Sequence, residues 1–235
     1  MLTEWTSELA RHFSGGFLSQ SWDDLTTYGW GFVLAGWTVL LITLSTIVVS
    51  WICGLLATLG KTSRFKAIRK LCEFYIWFIR GTPALIQVFI VYFGLPQFGL
   101  HLSPFLAGVI ALGLNSGAYV SEIIRSGLLA IPKGQMESSQ ALGMRHSETM
   151  ARIILPQVFR IVLPPLTNEA IATLKNTSLL STITVVDITL YAQTIISSTF
   201  RPFQFYFAAA FVYLVLTSVL SRLSAWLERR QAIYS

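Results

Sequence analysis

The chain has 235 residues, of which 54% are hydrophobic and only 12% are charged, and its mean hydropathy is +0.63. Soluble domains carry about a quarter charged residues, so this composition excludes a soluble globular protein and predicts an all-α integral membrane protein. The net charge of +6 comes from short basic clusters beside apolar runs, which is typical of membrane topology and does not indicate a nucleic-acid partner.

The first expected elements are an external N-terminal segment and a long membrane helix. Residues 1–29 are rich in acidic side chains, including Asp23 and Asp24, and are predicted to stay outside the cytoplasm. The first span is predicted from Gly31 to Leu59, which exceeds the roughly 20 residues that a crossing needs. The sequence KTSRFKAIRK follows with five basic residues, and by the positive-inside rule this loop is predicted to be cytoplasmic.

Four more spans are predicted further along the chain. Their approximate ranges are 74–96, 105–124, 161–190 and 205–223. About five crossings place the N-terminus outside and the C-terminus in the cytoplasm, with every basic cluster on one side. The fourth span carries many polar residues, so it is expected to be surrounded by protein or water. No linker or repeat interrupts the chain, and residues 1–235 are predicted to form a single domain.

The sequence contains no convincing catalytic or nucleotide-binding motif. Gly54 to Thr62 resembles a phosphate-binding loop, but it has five residues between its glycines instead of four and ends a predicted membrane helix. The three histidines are distributed over opposite sides of the predicted topology, so they are not expected to share a metal ion. We therefore expect the chain to bind no cofactor and no metal, and to catalyse no reaction itself.

The segment Gly134–Gln157 is a polar, amphipathic interlude in an apolar chain, and it is predicted to be cytoplasmic. It contains Glu137-Ser138-Ser139, then Gly143, then Ile153-Ile154-Leu155-Pro156. Gly143 is expected to permit a sharp bend between two short helices, and Pro156 is expected to mark a break before the fourth span. This pattern resembles the EAA loop of the permease subunits of ABC importers, with two serines in place of the paired alanines. Further blocks resemble the polar amino acid subfamily: Arg80–Pro83, Tyr119–Glu122, Ile131–Gln135 and Lys175–Leu179, with Asn176 where aspartate is common.

The resemblance implies a type I ABC importer permease fold in a bacterial inner membrane. It implies import of a polar amino acid by alternating access, with a second permease, identical or homologous, an external substrate-binding protein and two ATPase subunits that use ATP and Mg. Residues 134–157 would be the loop that couples to the ATPases. The coupling residues would be Gly134, Glu137, Ala141, Leu142 and Gly143. A helix that merely rests on membrane lipid is the alternative for this segment.

Two groups of polar residues are candidates for the substrate path. Asn115, Ser116 and Tyr119 share one helix face by their spacing, and Thr177, Ser178, Thr184 and Asp187 supply hydrogen-bonding groups in the fourth span. The alternative is that the hydroxyl groups bond back to their own helix. An ion-driven secondary transporter and a membrane-embedded enzyme are the competing functions, although neither would explain the EAA-like loop.

Two pairs of charged residues are predicted to position helix ends and not to touch the substrate. They are Glu73 with Arg80, two turns apart on one face, and Glu122 with Arg125, three residues apart.

Overall fold

The structure, a computed structural model, describes residues 17–232. Within this range the chain consists of helices and short connections and has no strand, so the all-α prediction is confirmed. Residues 17–29, expected as part of an external segment, already belong to the first helix. The remainder of that segment lies outside the described residues.

The helices follow one another along the chain with few connecting residues. They are α1 (Phe17–Lys61), α2 (Lys66–Gly81), α3 (Ala84–Phe89), α4 (Pro104–Ala130), α5 (Lys133–Ala141), α6 (His146–Thr149), α7 (Leu155–Asn176), α8 (Ile188–Thr199) and α9 (Pro202–Ala232). A π-helical segment, Ile90–Gly94, and a 3-10 segment, Leu95–Phe98, continue α3. A second π-helical segment, Met150–Ile154, joins α6 to α7, and the 3-10 segment Thr177–Ile183 continues α7.

Four stretches of described helix are long and apolar enough to cross a membrane. They are Asp23–Lys61, Pro104–Ala130, His146–Ile183 and Pro202–Arg230. α2 and the stretch Ala84–Phe98 pass the same test only together, because they form a pair bent by 113°. Counted as one broken span, this pair brings the total to the five that were predicted. The side on which each terminus lies stays a prediction.

The bend between α2 and α3 lies at Thr82 and Pro83, inside the predicted second span. Proline lacks an N–H and disfavours helical backbone in the preceding residue, and Thr82 is extended, with φ −123° and ψ 149°. The Gln87 side-chain amide donates to the carbonyl of Ile79 (2.8 Å) and to the carbonyl and hydroxyl oxygens of Thr82 (3.2 and 2.8 Å). Gln87 thus supplies the donors that the end of α2 needs away from water.

The fourth span differs from the predicted range 161–190 at both ends, because the helix covers His146–Ile183. Pro156 was expected to interrupt the chain, but it lies in the first turn of α7 directly after a π-helical segment. Proline is tolerated in the first turn of a helix, where its missing N–H costs little, so the helix continues. Pro164 and Pro165 also lie inside α7 without ending it.

The buried carboxylate of Asp187 caps the N-terminus of α8. The predicted fourth span, 161–190, ran into this helix, so α8 was not predicted as a separate element. The chain leaves that span through Thr184, whose φ is 65°, and Asp187 then caps α8. One carboxylate oxygen of the fully buried Asp187 accepts from the Leu190 N–H (2.8 Å), and the other accepts from the Tyr213 hydroxyl of α9 (2.9 Å). This N-cap holds α8 against α9.

α1 and α4 pack closely because glycines on each helix face larger side chains on the other. A Cβ atom on Gly54 would lie 2.5 Å from Cγ1 of Val120, and one on Gly113 would lie 2.5 Å from Cγ1 of Val49. Small residues permit this close approach between membrane helices. The backbones of α1 and α4 are therefore nearer to each other than any larger residue at these positions would allow.

We expect Gly54→Ala to destabilise the protein by about 1–3 kcal/mol, the usual cost of overpacking, because the added methyl meets Val120 and lies 3.0 Å from the backbone oxygen of Gly117. Gly36→Ala on the same helix is a matched control, since its nearest neighbour is Cγ1 of Val212 at 3.7 Å. Thermal unfolding of the full chain in detergent, followed by tryptophan fluorescence, measures both variants. Equal melting temperatures would contradict the close packing of α1 and α4.

We expect Asp187→Asn to lower the free energy of unfolding by about 1–3 kcal/mol, because one of two buried donors loses its acceptor. Tyr213→Phe removes one of these hydrogen bonds and should cost less. Asp23→Asn, at an exposed carboxylate near the start of α1, is the control and should melt like wild type. The same thermal unfolding experiment applies. Asparagine can still cap the helix through its side-chain oxygen, so the cap itself is tested by Asp187→Ala, and a wild-type melting temperature for that variant would rule out the capping role.

Candidate functional site

The polar segment Gly134–Gln157 contains the two short helices α5 and α6, with a bend between them, and leads into α7. α5 ends at Ala141, and Gly143 follows with φ +77°, in the left-handed region that favours glycine. The Gly143 N–H donates to the carbonyl of Gln140 (2.9 Å), and the Met144 N–H donates to that of Ser139 (3.1 Å). The structure thus contains the expected bend at Gly143 between two short helices.

One face of α5 packs against the membrane helices. Ser139 is only 2% exposed, and Met136 packs against the apolar cluster of Ile154, Val158 and Val162 around the start of α7. This contact holds α5 against the end of the fourth span. A displacement of α5 must therefore either move α7 or open an apolar contact.

The predicted coupling residues lie on the other side of this turn. All five are exposed: Gly134, Glu137, Ala141, Leu142 and Gly143. The first three recur at i, i+3 and i+7, which places them on a single face of α5. Leu142 is 81% exposed, so its aliphatic side chain is accessible beside this polar helix.

The predicted substrate-path residues of α4 point toward different neighbours. Asn115 donates to the side-chain oxygen of Gln87 at 3.0 Å. Ser116 is buried and accepts from the Thr173 hydroxyl of α7 at 3.3 Å. Tyr119 is partly exposed, and the Arg80 guanidinium lies 5.5 Å from the centre of its ring. The structure brings Asn115 and Ser116 into polar contacts between helices, while Tyr119 belongs with Arg80.

The predicted residues at the far end of the fourth span mostly bond within their own segment. The buried Thr177 hydroxyl donates to the carbonyl of Leu174 (2.7 Å), and the Ser178 hydroxyl donates to that of Lys175 (2.8 Å). This is the back-bonding that the sequence left as an alternative. Thr184 is exposed, whereas Asp187 is the buried cap described above. The role of all four in a substrate path stays a prediction.

Glu169 is a polar residue of the fourth span that the sequence did not single out as a site residue. It lies in the middle of α7, is half-buried, and its carboxylate lies close to the Ser116 side chain of α4. No described basic side chain forms an ion pair with it. A carboxylate inside a membrane span without a cation partner indicates function more often than packing. Its position on a polar span was the signal that could have identified it.

Glu122 of α4 forms ion pairs with residues near the ends of α1 and α2 and with a residue of its own helix. Its carboxylate lies 2.7 Å from Lys61 Nζ of α1, 2.8 Å from Arg125 of α4 and 3.9 Å from Arg80 of α2. The sequence predicted its pairing with Arg125, but it paired Arg80 with Glu73 instead. Lys61 is also the lysine of the apparent phosphate-binding loop, and here it donates to the Glu122 carboxylate.

No three His, Cys, Asp or Glu side chains between residues 17 and 232 come close enough together to hold a metal ion. Two features stand out among the described residues: the exposed face of α5, and the polar contacts of α4 with α3 and α7.

Residues 46–233 match the family model described as the binding-protein-dependent transport system inner membrane component. Similar proteins include the L-cystine transport system permease protein TcyB of Bacillus subtilis, which is 38% identical over 211 residues that cover 89% of this chain and 90% of TcyB. The glutamine transport system permease protein GlnP of Escherichia coli is 41% identical over 184 residues, which cover 77% of this chain and 84% of GlnP.

Solved structures show the same architecture. The crystal structure of an amino acid ABC transporter with histidines superposes with a TM-score of 0.84 and 40% identity, covering 88% of this chain and 97% of that one. The inward-facing MetNI methionine ABC transporter shares the fold, with a TM-score of 0.72 at 15% identity over 87% of this chain and 98% of that one. The predicted type I ABC importer permease fold is confirmed, and the chain belongs to the family of inner membrane components of binding-protein-dependent transport systems.

Proposed function

We propose that this chain is the membrane-spanning permease of an ATP-driven importer for a polar amino acid in a bacterial inner membrane. The observation that carries the proposal is the two-sided character of α5. Its inner face buries Ser139 and packs on the start of α7 through Met136, and its outer face presents Glu137 and Ala141 to solvent. A partner that binds the outer face and displaces α5 would therefore also displace the start of α7.

The energy in this proposal comes from separate subunits. Two ATPase subunits bind ATP and Mg, and their closure displaces α5 and the adjoining Leu142-Gly143 turn. The chain works with a second permease, identical or homologous, and an external binding protein delivers the substrate. The pair of permeases then alternates between inward-open and outward-open states around the substrate.

A polar amino acid as substrate is supported by the relatives and by the polar contacts between helices. The relatives are named for the transport of L-cystine, glutamine and arginine. In this chain Asn115, Ser116 and Glu169 offer an amide, a hydroxyl and a carboxylate within the span region. The carboxylate suits an ammonium group, and the amide and hydroxyl suit a carboxylate or a second polar group.

An ion-driven secondary transporter is the second candidate. It would leave the exposed face of α5 without a role, and the family to which the chain belongs works with binding proteins. Uptake into vesicles that depends on ATP and persists without ion gradients separates the two functions.

We expect Leu142→Glu to reduce ATP-dependent uptake at least tenfold while the melting temperature stays at the wild-type value. Leu142 is 81% exposed, so the substitution removes little packing within this chain but places a charge where an apolar contact is proposed. Gln135→Glu adds the same charge to an exposed position of α5 that is neither three nor four residues from Gly134, Glu137 or Ala141 and so lies off their face, and it serves as the control. Uptake by reconstituted transporter in vesicles is the measurement. Wild-type uptake in Leu142→Glu would reject this turn as a docking surface.

We expect Glu169→Gln to reduce uptake by about 10- to 100-fold, corresponding to the roughly 1.5–3 kcal/mol of a hydrogen bond to a charged group. ATPase subunits should still copurify with the variant, because Glu169 lies far from the α5 face along α7. Asp23→Asn, which neutralises an exposed carboxylate, should leave uptake unchanged. Unaltered uptake per assembled complex in Glu169→Gln would exclude Glu169 from the substrate path.

A further inference from the structure

The connection between α1 and α2 is the most strongly basic surface of the described chain. We call residues 61–70 the basic hairpin, since they include five basic residues in ten. Lys61 pairs with Glu122. The other four are exposed, and no acidic residue between positions 17 and 232 lies within ion-pair distance of them: Arg64, Lys66, Arg69 and Lys70.

The basic hairpin is held in one shape by short-range contacts. The Thr62 and Ser63 N–H groups donate to carbonyls of the last turn of α1 (3.2 and 3.1 Å), and the Phe65 N–H donates to the Ser63 hydroxyl at 3.2 Å. Gly60 leaves no room for a side chain, because a Cβ there would collide with Cys72 Sγ of α2. The four unpaired cations are therefore presented on a closely packed helix pair.

An exposed aromatic face continues directly from these cations along α2. Lys70, Phe74 and Trp77 recur at i, i+4 and i+7 and so share one face. Phe74 is 57% exposed and Trp77 is 70% exposed, whereas Ile76 and Ile79 on the opposite side are buried. Seven residues of helix separate Lys70 from Trp77 by about 10 Å. The charge lies at the start of α2, and the apolar surface lies deeper along it.

We propose that the basic hairpin and the adjoining aromatic face form a binding site for anionic phospholipid. The phosphate group of the lipid contacts Lys66 and Lys70, and an acyl chain lies along Phe74 and Trp77. The order of cationic and aromatic groups along α2 matches the order of headgroup and acyl chain in a lipid, and the positive charge complements an anionic headgroup. An acidic protein surface would satisfy the cations but would leave the aromatic face uncovered. The lipid is thus a distinct ligand from the transported substrate.

The test is the selectivity of the full chain for lipid headgroups. Purified protein in detergent is titrated with equimolar dioleoyl phosphatidylglycerol and dioleoyl phosphatidylcholine, and bound lipids are counted by native mass spectrometry. We expect wild type to prefer phosphatidylglycerol and the quadruple variant Arg64→Gln/Lys66→Gln/Arg69→Gln/Lys70→Gln to lose at least tenfold of that preference. Each basic residue near an anionic lipid contributes roughly fivefold in affinity.

Two further variants separate charge from apolar contact. Arg222→Gln/Arg229→Gln neutralises exposed cations on α9 and should keep the preference. Phe74→Ala/Trp77→Ala should weaken the binding of both lipids while retaining the preference for phosphatidylglycerol. Should the quadruple variant not fold, Lys66→Gln/Lys70→Gln is expected to lose part of the preference, and wild type should lose it in high salt.

Two results would overturn the proposal. The first is equal binding of the two lipids by wild type, and the second is a preference that survives in the quadruple variant. If that second result came with loss of an ATPase subunit during purification from membranes, it would assign the basic hairpin to a protein partner.

Discussion

The close approach of α1 and α4 determines where the other helices of this permease can lie. Gly54 and Gly113 admit Val120 and Val49 from the opposite helix, so each valine side chain packs directly against the backbone of the facing helix. α4 then presents its remaining sides to α2, α3 and α7 and becomes the centre of the bundle. Because there is no hydrophobic driving force between helices surrounded by lipid, such close van der Waals contact is a main source of their association.

Electrostatic contacts reinforce the same arrangement where α4 approaches α5. Glu122 pairs with Lys61 of α1, Arg80 of α2 and Arg125 of its own helix, and it lies about two turns before the end of α4. These ion pairs connect the end of α4, which leads into α5, with α1 and α2. A carboxylate in this position keeps the membrane-facing helices in register beside the surface that we assign to the ATPase partner.

The features predicted correctly from sequence are those that depend on neighbouring residues. Long apolar runs indicated the number of spans, and the isolated Gly143 in a polar stretch indicated the turn after α5. The break at Pro83 and the cap at Asp187 have local causes but were missed, because both lie inside long runs that were assigned to single spans. The contact of Glu169 with Ser116 was missed because its partner lies on another helix. A π-helical turn before Pro156 likewise has no simple sequence signal, so the proline was taken as a break. The spans were thus predictable, whereas the polar contacts between them were not.

The two consecutive prolines of α7 give the fourth span an uneven stiffness. From His146 to Ile183 this helix extends over roughly 55 Å at 1.5 Å per residue, and Pro164 and Pro165 remove two successive backbone hydrogen bonds from its middle. Bending is easiest where that ladder of bonds is missing. The fourth span therefore consists of two rigid helical halves that can bend relative to each other at Pro164 and Pro165. The half before the prolines contacts α5, and the half after them contains Glu169 and Thr173.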